Sequence, residues 1–166
     1  MSKKFNLVFN ILIFATLIIL PLCYLLGADI AHLHDSKIYI ATAKLSLAST
    51  GFWFGDSPVG FLILLKLLGN HITALGVAQT LISIIAISYF AYQASQLIIN
   101  SLAKKLTLAL LTIFLISPLI QTWNLCILTG SLSSSMLFMV LGSGIAYLRQ
   151  KTKLYFFLLA VSIIIF

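Results

Sequence analysis

The stretch FNLVFNILIFATLIILPLCYLL, residues 5–26, contains no charged residue. A helix of this length rises far enough to cross a hydrocarbon core of about 30 Å. The whole chain has the same character, because it is 61% hydrophobic and only 8% charged, whereas soluble domains are about a quarter charged. Too few charges are present to cover a water-facing surface. The sequence therefore predicts an all-α integral membrane protein, a helical bundle surrounded by the lipid bilayer.

The basic residues fall in three short clusters next to the apolar runs. The clusters are Lys3 with Lys4, Lys104 with Lys105, and Arg149 with Lys151 and Lys153. Clusters of this kind mark the cytoplasmic ends of membrane spans. The net charge of +7 therefore indicates topology rather than a nucleic-acid partner. We expect a multi-pass protein of the cell membrane with a cytoplasmic N-terminus.

Run length and flanking charge divide the chain into about four complete spans and an incomplete fifth. The four spans are expected at residues 5–26, 72–99, 106–125 and 128–148, and the incomplete one at 154–166. Because the fifth run is too short to cross a bilayer, we expect the chain to be the N-terminal part of a larger membrane domain, either a fragment or a truncated gene product.

Residues 27–71 form an outer-face loop in this topology. The loop contains a further apolar run, residues 60–69, that is too short to span and includes Lys66. We expect this run to be an interfacial or re-entrant helix, with the Lys66 side chain extending to the membrane surface.

The acidic residues of the chain, Asp29, Asp35 and Asp56, all lie in this loop. Carboxylates are costly in lipid, so those kept at the membrane surface are candidate functional groups. A water-facing loop is also where Asp is most easily tolerated, and this explanation suits Asp29 and Asp56 best. Asp56 belongs to GDSP, an ordinary turn sequence.

Asp35 precedes a stretch with helical periodicity. Residues 36–48 contain no Gly or Pro, and Ile38, Ala41, Leu45 and Ala48 recur at helical spacing. The pattern predicts an amphipathic helix on the membrane surface with Asp35 as its N-cap, a structural role worth about 1 kcal/mol. Capping would also hold the carboxylate ionised and rigid, so the structural and functional roles are compatible.

Histidines and cysteines give weaker signals. His32 and His34 beside Asp35 have ligand types that suit zinc, but the remaining histidine, His71, is far along the chain. We expect no metal and no other cofactor. Cys23 and Cys126 are interpreted as buried small hydrophobic residues.

Two stretches resemble a known family. HDSKIYIATAKLSLASTGFWFGDSPVGFLILLKLLGN, residues 34–70, is similar to the first outer loop of the multi-spanning GT-C type glycosyltransferases, which use a sugar carried on polyprenyl or dolichyl phosphate. SPLIQTWNLCILTGSLSSSMLFMVLGSGIAYL, residues 117–148, is similar to the junction of their third and fourth spans. The family order in the loop corresponds here to Asp35, Tyr39, Ala43 with Leu47, Gly51, Pro58, Gly60 and Gly69. The resemblance covers the N-terminal third of a usual member, and family members commonly carry an acidic residue where this chain has Gly130.

The resemblance implies transfer of a sugar from a polyprenyl-phosphate carrier to an acceptor on the outer face. It makes Asp35 the catalytic carboxylate, a general base toward an acceptor hydroxyl or amine. It also implies substrate-binding roles for Tyr39, Lys37, Lys44 and Asp56, although solvation of an exposed helix face explains the two lysines better. Without the rest of the family's membrane domain, the chain alone is expected to be inactive.

A small transporter subunit, or an assembly protein without catalysis, is the alternative. A transporter would be expected to place ionisable residues inside its spans or to have broken helices in paired halves. The predicted spans contain Gln79, Gln93 and Gln96 with hydroxyl-bearing residues instead, which argues weakly against ion coupling.

Overall fold

The computed structural model describes residues 3–27, 29–31, 35–55, 57–69, 71–115, 117–127 and 129–165. These parts of the chain form nine α-helices and no strand, which confirms the predicted all-α class for them. The helices are α1 (Lys3–Gly27), α2 (Ser36–Ala43), α3 (Thr50–Trp53), α4 (Val59–Leu67), α5 (Ile72–Ser95), α6 (Ser101–Leu115), α7 (Pro118–Asn124), α8 (Thr129–Gln150) and α9 (Lys153–Ile165).

Two of the described helices, α5 and α8, are long and apolar enough to cross a membrane. Helices α6 and α7 add a third span if they are counted together, although they are bent by 50° at the break between them. The apolar stretches Ile11–Gly27 of α1 and Lys153–Ile163 of α9 are shorter. The chain therefore has the helices of a membrane protein, with two or three that are able to span.

Helices α5 and α8 form the most extensive contact between elements. Small residues of α8 are buried at spacings of four and seven: Ser131, Ser135, Gly142 and Ala146. A Cβ atom at Gly142 would lie 2.8 Å from Cδ1 of Tyr89 and 3.2 Å from Cα of Phe90. The absence of a side chain at Gly142 thus lets the two backbones approach closely, as is usual between helices in lipid.

Local sequence explains where several helices end. Pro118 occupies the first turn of α7, and Ser117 before it is extended, with φ −60° and ψ 144°. A residue before proline tends to avoid the helical region, and the extended Ser117 separates α6 from α7. Gly69 ends α4 with a φ of 61°, a left-handed conformation that favours glycine.

The buried apolar side chains fall in two clusters. The span core joins α1, α5, α6 and α7 and consists of Ile13, Ile84, Ile87, Ala91, Leu108, Leu115 and Ile120. The loop core consists of Ala43, Phe52, Phe61, Leu62, Leu65, Leu75, Ile127 and Leu132. Most of the loop core comes from α2, α3 and α4, which we call the loop unit. The other members attach this unit to α5 and α8.

The helix that follows Asp35 is shorter than predicted and packs by another face. It ends at Ala43 rather than Ala48. The chain turns after it, and the Ser46 hydroxyl accepts from the Ala48 amide at 3.2 Å, a local bond that competes with the helix. Ile38 is 52% exposed and Leu45 is 40% exposed, so the predicted apolar face points outward. Ser36 and Ala43 are buried instead, since tertiary contacts with α4 select that side of the helix.

Candidate functional site

The segment around Asp35 is attached to the link between α7 and α8. The Ala31 amide donates to the Leu125 carbonyl at 2.8 Å, and the Ile127 amide donates to the Ala31 carbonyl at 3.2 Å. These bonds form an isolated parallel β-bridge between Ala31 and Cys126. The buried Ser36 hydroxyl also donates to the Ile127 carbonyl at 3.1 Å. The two stretches that carry the family resemblance are therefore in direct contact, and Asp35 lies between the two points of attachment.

Asp35 precedes α2 as predicted, but its side chain makes no capping hydrogen bond. Its backbone is helical, with φ −72° and ψ −18°, whereas a capping side chain needs an extended backbone to reach the amides of the first turn. The predicted cap is wrong for this reason. Its carbonyl accepts from the amides of Ile38 and Tyr39 at 3.0 and 3.1 Å. The exposed carboxylate is therefore not used to cap the helix.

The other predicted residues of α2 have different environments. Lys37 and Lys44 are exposed, and Lys44 follows the last helical residue. The Tyr39 ring packs edge-on against Phe61, with ring centroids 5.4 Å apart and planes at 76°. Tyr39 thus packs against the loop core, and this contact fixes the first turn of the helix beside Asp35.

Three predicted residues, Asp56, His32 and His34, lie outside the described residues. Across the ranges that the structure describes, no three His, Cys, Asp or Glu side chains are close enough to hold a metal ion. The proposed binding role of Asp56 stays a prediction.

Lys66 has a role that its sequence context did not predict. Lys66 is half-buried, and its ammonium contacts backbone carbonyls outside its own helix. It donates to the Ala43 carbonyl at 3.2 Å and to the Leu45 carbonyl at 2.6 Å, and it lies 5.6 Å from the centre of the Phe52 ring. The carbonyls at and just after the end of α2 thus accept hydrogen bonds from a lysine of α4. The negative end of the helix dipole favours a positive charge at this position. A single lysine retained in an apolar run was the signal for such a partner.

Two cavities border the loop. One of about 340 Å³ is lined by Leu47, Trp53, Ile63, Lys66 and Leu67. The other, of about 260 Å³, lies between the end of α1 and the start of α5 and is lined by Leu25, Leu26, Asp29, Ile30, Ile72, Thr73 and Val77. The exposed Asp29 is therefore next to α1 and α5, whereas Asp35 is next to the α7–α8 link.

A buried polar pair lies at that link. The Ser131 hydroxyl donates to Oδ1 of Asn124 at 2.6 Å, while Nδ2 of Asn124 is buried without a hydrogen-bond partner. Burial raises the pKa of the Cys126 thiol, so less of it is the reactive thiolate at neutral pH. Cys23 is exposed on α1, contrary to the prediction that it is buried.

No protein-family model, curated protein or solved structure matches the chain. What the fold and the site define is a helical membrane protein in which a loop unit is joined to the α7–α8 link and presents an exposed carboxylate. A more specific function depends on the residues and their arrangement.

Proposed function

We propose that the protein is a membrane glycosyltransferase, or a remnant of one, in which Asp35 is the general base. The transferred sugar comes from a polyprenyl-phosphate carrier, and the acceptor approaches from the outer face of the cell membrane. The observation that carries the proposal is the position of Asp35. Its carboxylate is exposed and makes no cap, and its backbone is held between the Ala31 bridge and the Ser36 hydrogen bond.

The chemistry needs a carboxylate that is both ionised and fixed in place. Asp35 accepts the proton of an acceptor hydroxyl or amine while the acceptor atom bonds to the anomeric carbon of the sugar. The bond between that carbon and the carrier phosphate breaks, and the phosphate leaves with the electron pair. Lys37 and Lys44, both exposed on the same helix or directly after it, supply positive charge for that phosphate.

The proposed topology brings these groups to the outer surface. It counts α1, α5, the broken pair α6 and α7, and α8 as four spans, with α9 as a fifth, incomplete one. Lys104 and Lys105 then lie near the start of α6, and Arg149 lies at the end of α8, all on the cytoplasmic side with the N-terminus. The loop unit consequently lies at the opposite face, where a lipid-borne sugar and a water-borne acceptor meet.

A transport subunit is the second candidate, and one observation favours it. Helix α7, which follows the break after α6, ends at Asn124, whose Nδ2 atom is buried without a partner among the described residues. Discontinuous helices with free polar groups commonly form substrate sites in transporters. Solute uptake into proteoliposomes that is lost in Asn124→Leu, together with no sugar transfer, would favour this candidate.

The glycosyltransferase proposal is tested by replacing Asp35 in the protein's natural host. Membranes from wild-type and Asp35→Asn cells are supplied with radiolabelled polyprenyl-phosphate sugars, and labelled acceptor is measured. We expect a rate at least about a hundredfold lower in the variant, the lower range for a lost general base. Thermal unfolding should be unchanged, because no capping hydrogen bond is lost.

Asp29→Asn is the matched control, because it neutralises a carboxylate in the same loop but beside α1 and α5. Its transfer rate should equal that of the wild type. Full activity in Asp35→Asn, with loss of activity in Asp29→Asn, would show that the wrong carboxylate was chosen. Absence of sugar transfer by wild-type membranes would contradict an active glycosyltransferase and leave only the inactive remnant.

A further inference from the structure

The cavity beside Lys66 is almost entirely surrounded by carbon. Leu47, Trp53, Ile63 and Leu67 line it together with Lys66, and its volume of about 340 Å³ is at the lower end of the range for ligand pockets. The Trp53 indole N–H donates to the Leu47 carbonyl at 2.6 Å, so its hydrogen-bonding capacity is already used. The indole thus offers the cavity only its aromatic carbon surface, and an occupant must be mainly apolar.

No described neighbour neutralises the charge of Lys66. An ammonium has three N–H donors, and two of them donate to the neutral carbonyls of Ala43 and Leu45. Its remaining described contact is the Phe52 ring, which is also neutral. Among the described residues, one donor and the positive charge are therefore left beside an apolar cavity that the carbon atoms of Lys66 help to line. An occupant with an anionic group at one end satisfies both.

Large apolar side chains are also exposed on the surface around the cavity. Leu67 is 79% exposed and Phe54 is 87% exposed, while Leu47 and Trp53 are about half exposed. Large exposed apolar side chains in such number mark a surface that binds another apolar one. Trp is also the residue most typical of the boundary between lipid tails and headgroups. The loop unit thus has the surface of a structure that lies against the bilayer.

We propose that this cavity binds one anionic phospholipid of the surrounding membrane. Its phosphate accepts a hydrogen bond from Lys66, and one acyl chain lies against Leu47, Trp53, Ile63 and Leu67. A zwitterionic phospholipid fits less well, because its own cation already accompanies the phosphate. The bound lipid would fasten α2 and α4 to the membrane near Asp35. This site does not depend on Asp35 being catalytic.

Trp53 provides a direct probe of the occupant. In a Trp123→Phe background, Trp53 is the single tryptophan of the chain. The full chain is placed in nanodiscs of unlabelled phosphatidylcholine. A small fraction of one brominated lipid is added, either phosphatidylglycerol or phosphatidylcholine. Brominated acyl chains quench tryptophan fluorescence on contact. The attraction of one lysine to an anionic lipid strengthens binding about fivefold. Half-maximal quenching should therefore need about fivefold less brominated phosphatidylglycerol than brominated phosphatidylcholine.

Variants separate charge from shape. Lys66→Gln should abolish the difference between the two lipids, Lys66→Arg should keep it, and Lys37→Gln should leave it unchanged as a matched loss of one charge from the same unit. Ile63→Phe fills the cavity but retains Lys66, and it should weaken quenching by both lipids. This variant keeps the test decisive even if Lys66→Gln loosens the end of α2.

Three results would overturn the proposal. The first is equal quenching by the two lipids in the parent protein. The second is an unchanged difference in a Lys66→Gln protein whose Trp53 emission spectrum is normal. The third is displacement of brominated phosphatidylglycerol by polyprenyl phosphate at a far lower mole fraction than by unlabelled phosphatidylglycerol, which would assign the cavity to a carrier lipid. The first two leave the role of Asp35 untouched, because sugar transfer is measured separately.

Discussion

The loop core and the α5–α8 interface are both buried, yet they are built from different kinds of side chain. In the loop core, Phe52, Phe61, Leu62 and Leu65 are fully buried. In the α5–α8 interface, the closest approach occurs at Gly142, and most of its buried neighbours on α8 are serine or alanine. The loop core excludes water from large apolar side chains, whereas the α5–α8 interface brings helix backbones and hydroxyl groups close together.

The difference follows from the solvent of each region. Large apolar side chains stabilise a fold when their exposed alternative is water. Between two spans the exposed alternative is lipid, which is as apolar as leucine, so close packing and hydrogen bonds must supply the attraction instead. The small and hydroxyl-bearing residues of the α5–α8 interface suit the packing of helices in lipid. Burial of large apolar side chains is not confined to the loop unit, because Ile and Leu also form the span core.

The largest expected effect is at Phe52. Phe52→Ala removes a fully buried ring from the loop core and should lower the free energy of unfolding of the loop unit by about 3–5 kcal/mol. Phe54→Ala also removes a phenyl ring, but from a side chain that is 87% exposed. It should change the free energy of unfolding of the loop unit by less than about 0.5 kcal/mol. Hydrogen exchange of the α2–α4 amides in lipid nanodiscs measures both. Similar protection in the two variants would contradict a hydrophobic loop core.

A smaller effect is expected at Gly142, on the other side of the comparison. In Gly142→Ala the new Cβ would be 2.8–2.9 Å from the Tyr89 ring, and the resulting overlap should destabilise the α5–α8 pair by about 1–3 kcal/mol. Gly144 has nothing within 4 Å of such a Cβ. Gly144→Ala should therefore gain up to about 1 kcal/mol from helix propensity alone. Reversible unfolding in mixed detergent micelles compares them, and equal destabilisation would argue against close approach at Gly142.

The smallest effect is expected at the contact of α8 with α7, where a side-chain hydrogen bond joins the two helices. Ser131→Ala removes the donor to Asn124 and leaves that buried amide without a side-chain partner. The expected cost is about 0.6–2 kcal/mol, the range for polar contacts between helices in lipid. Ser134→Ala, which loses only a bond to its own helix backbone, should cost less than about 0.5 kcal/mol. The same unfolding assay compares the two variants. Equal destabilisation would contradict a stabilising role of the Ser131–Asn124 hydrogen bond.

Much of the helical architecture could be predicted from the sequence. The apolar runs 72–99 and 128–148 are occupied by α5 and α8, because run length and the flanking polar residues determine where a helix can exist in lipid. The short run 60–69 is likewise a short helix, α4, ended by Gly69. These features depend on neighbours in the sequence, so periodicity and helix-ending residues are sufficient to place them.

The arrangement of the candidate site was decided by tertiary structure. Residues 36–48 have apolar positions on more than one side of a helix, and contacts with α4 and with the α7–α8 link determined that Ala43 and Ser36, rather than Ile38 and Leu45, are buried. The Ser36 bond to Ile127 across 91 residues and the Lys66 bonds to the end of α2 also depend on tertiary contacts. Local sequence specifies which residues can form helices, but partners distant in the chain leave no periodic signal. Their positions become determined only when packing fixes the backbone.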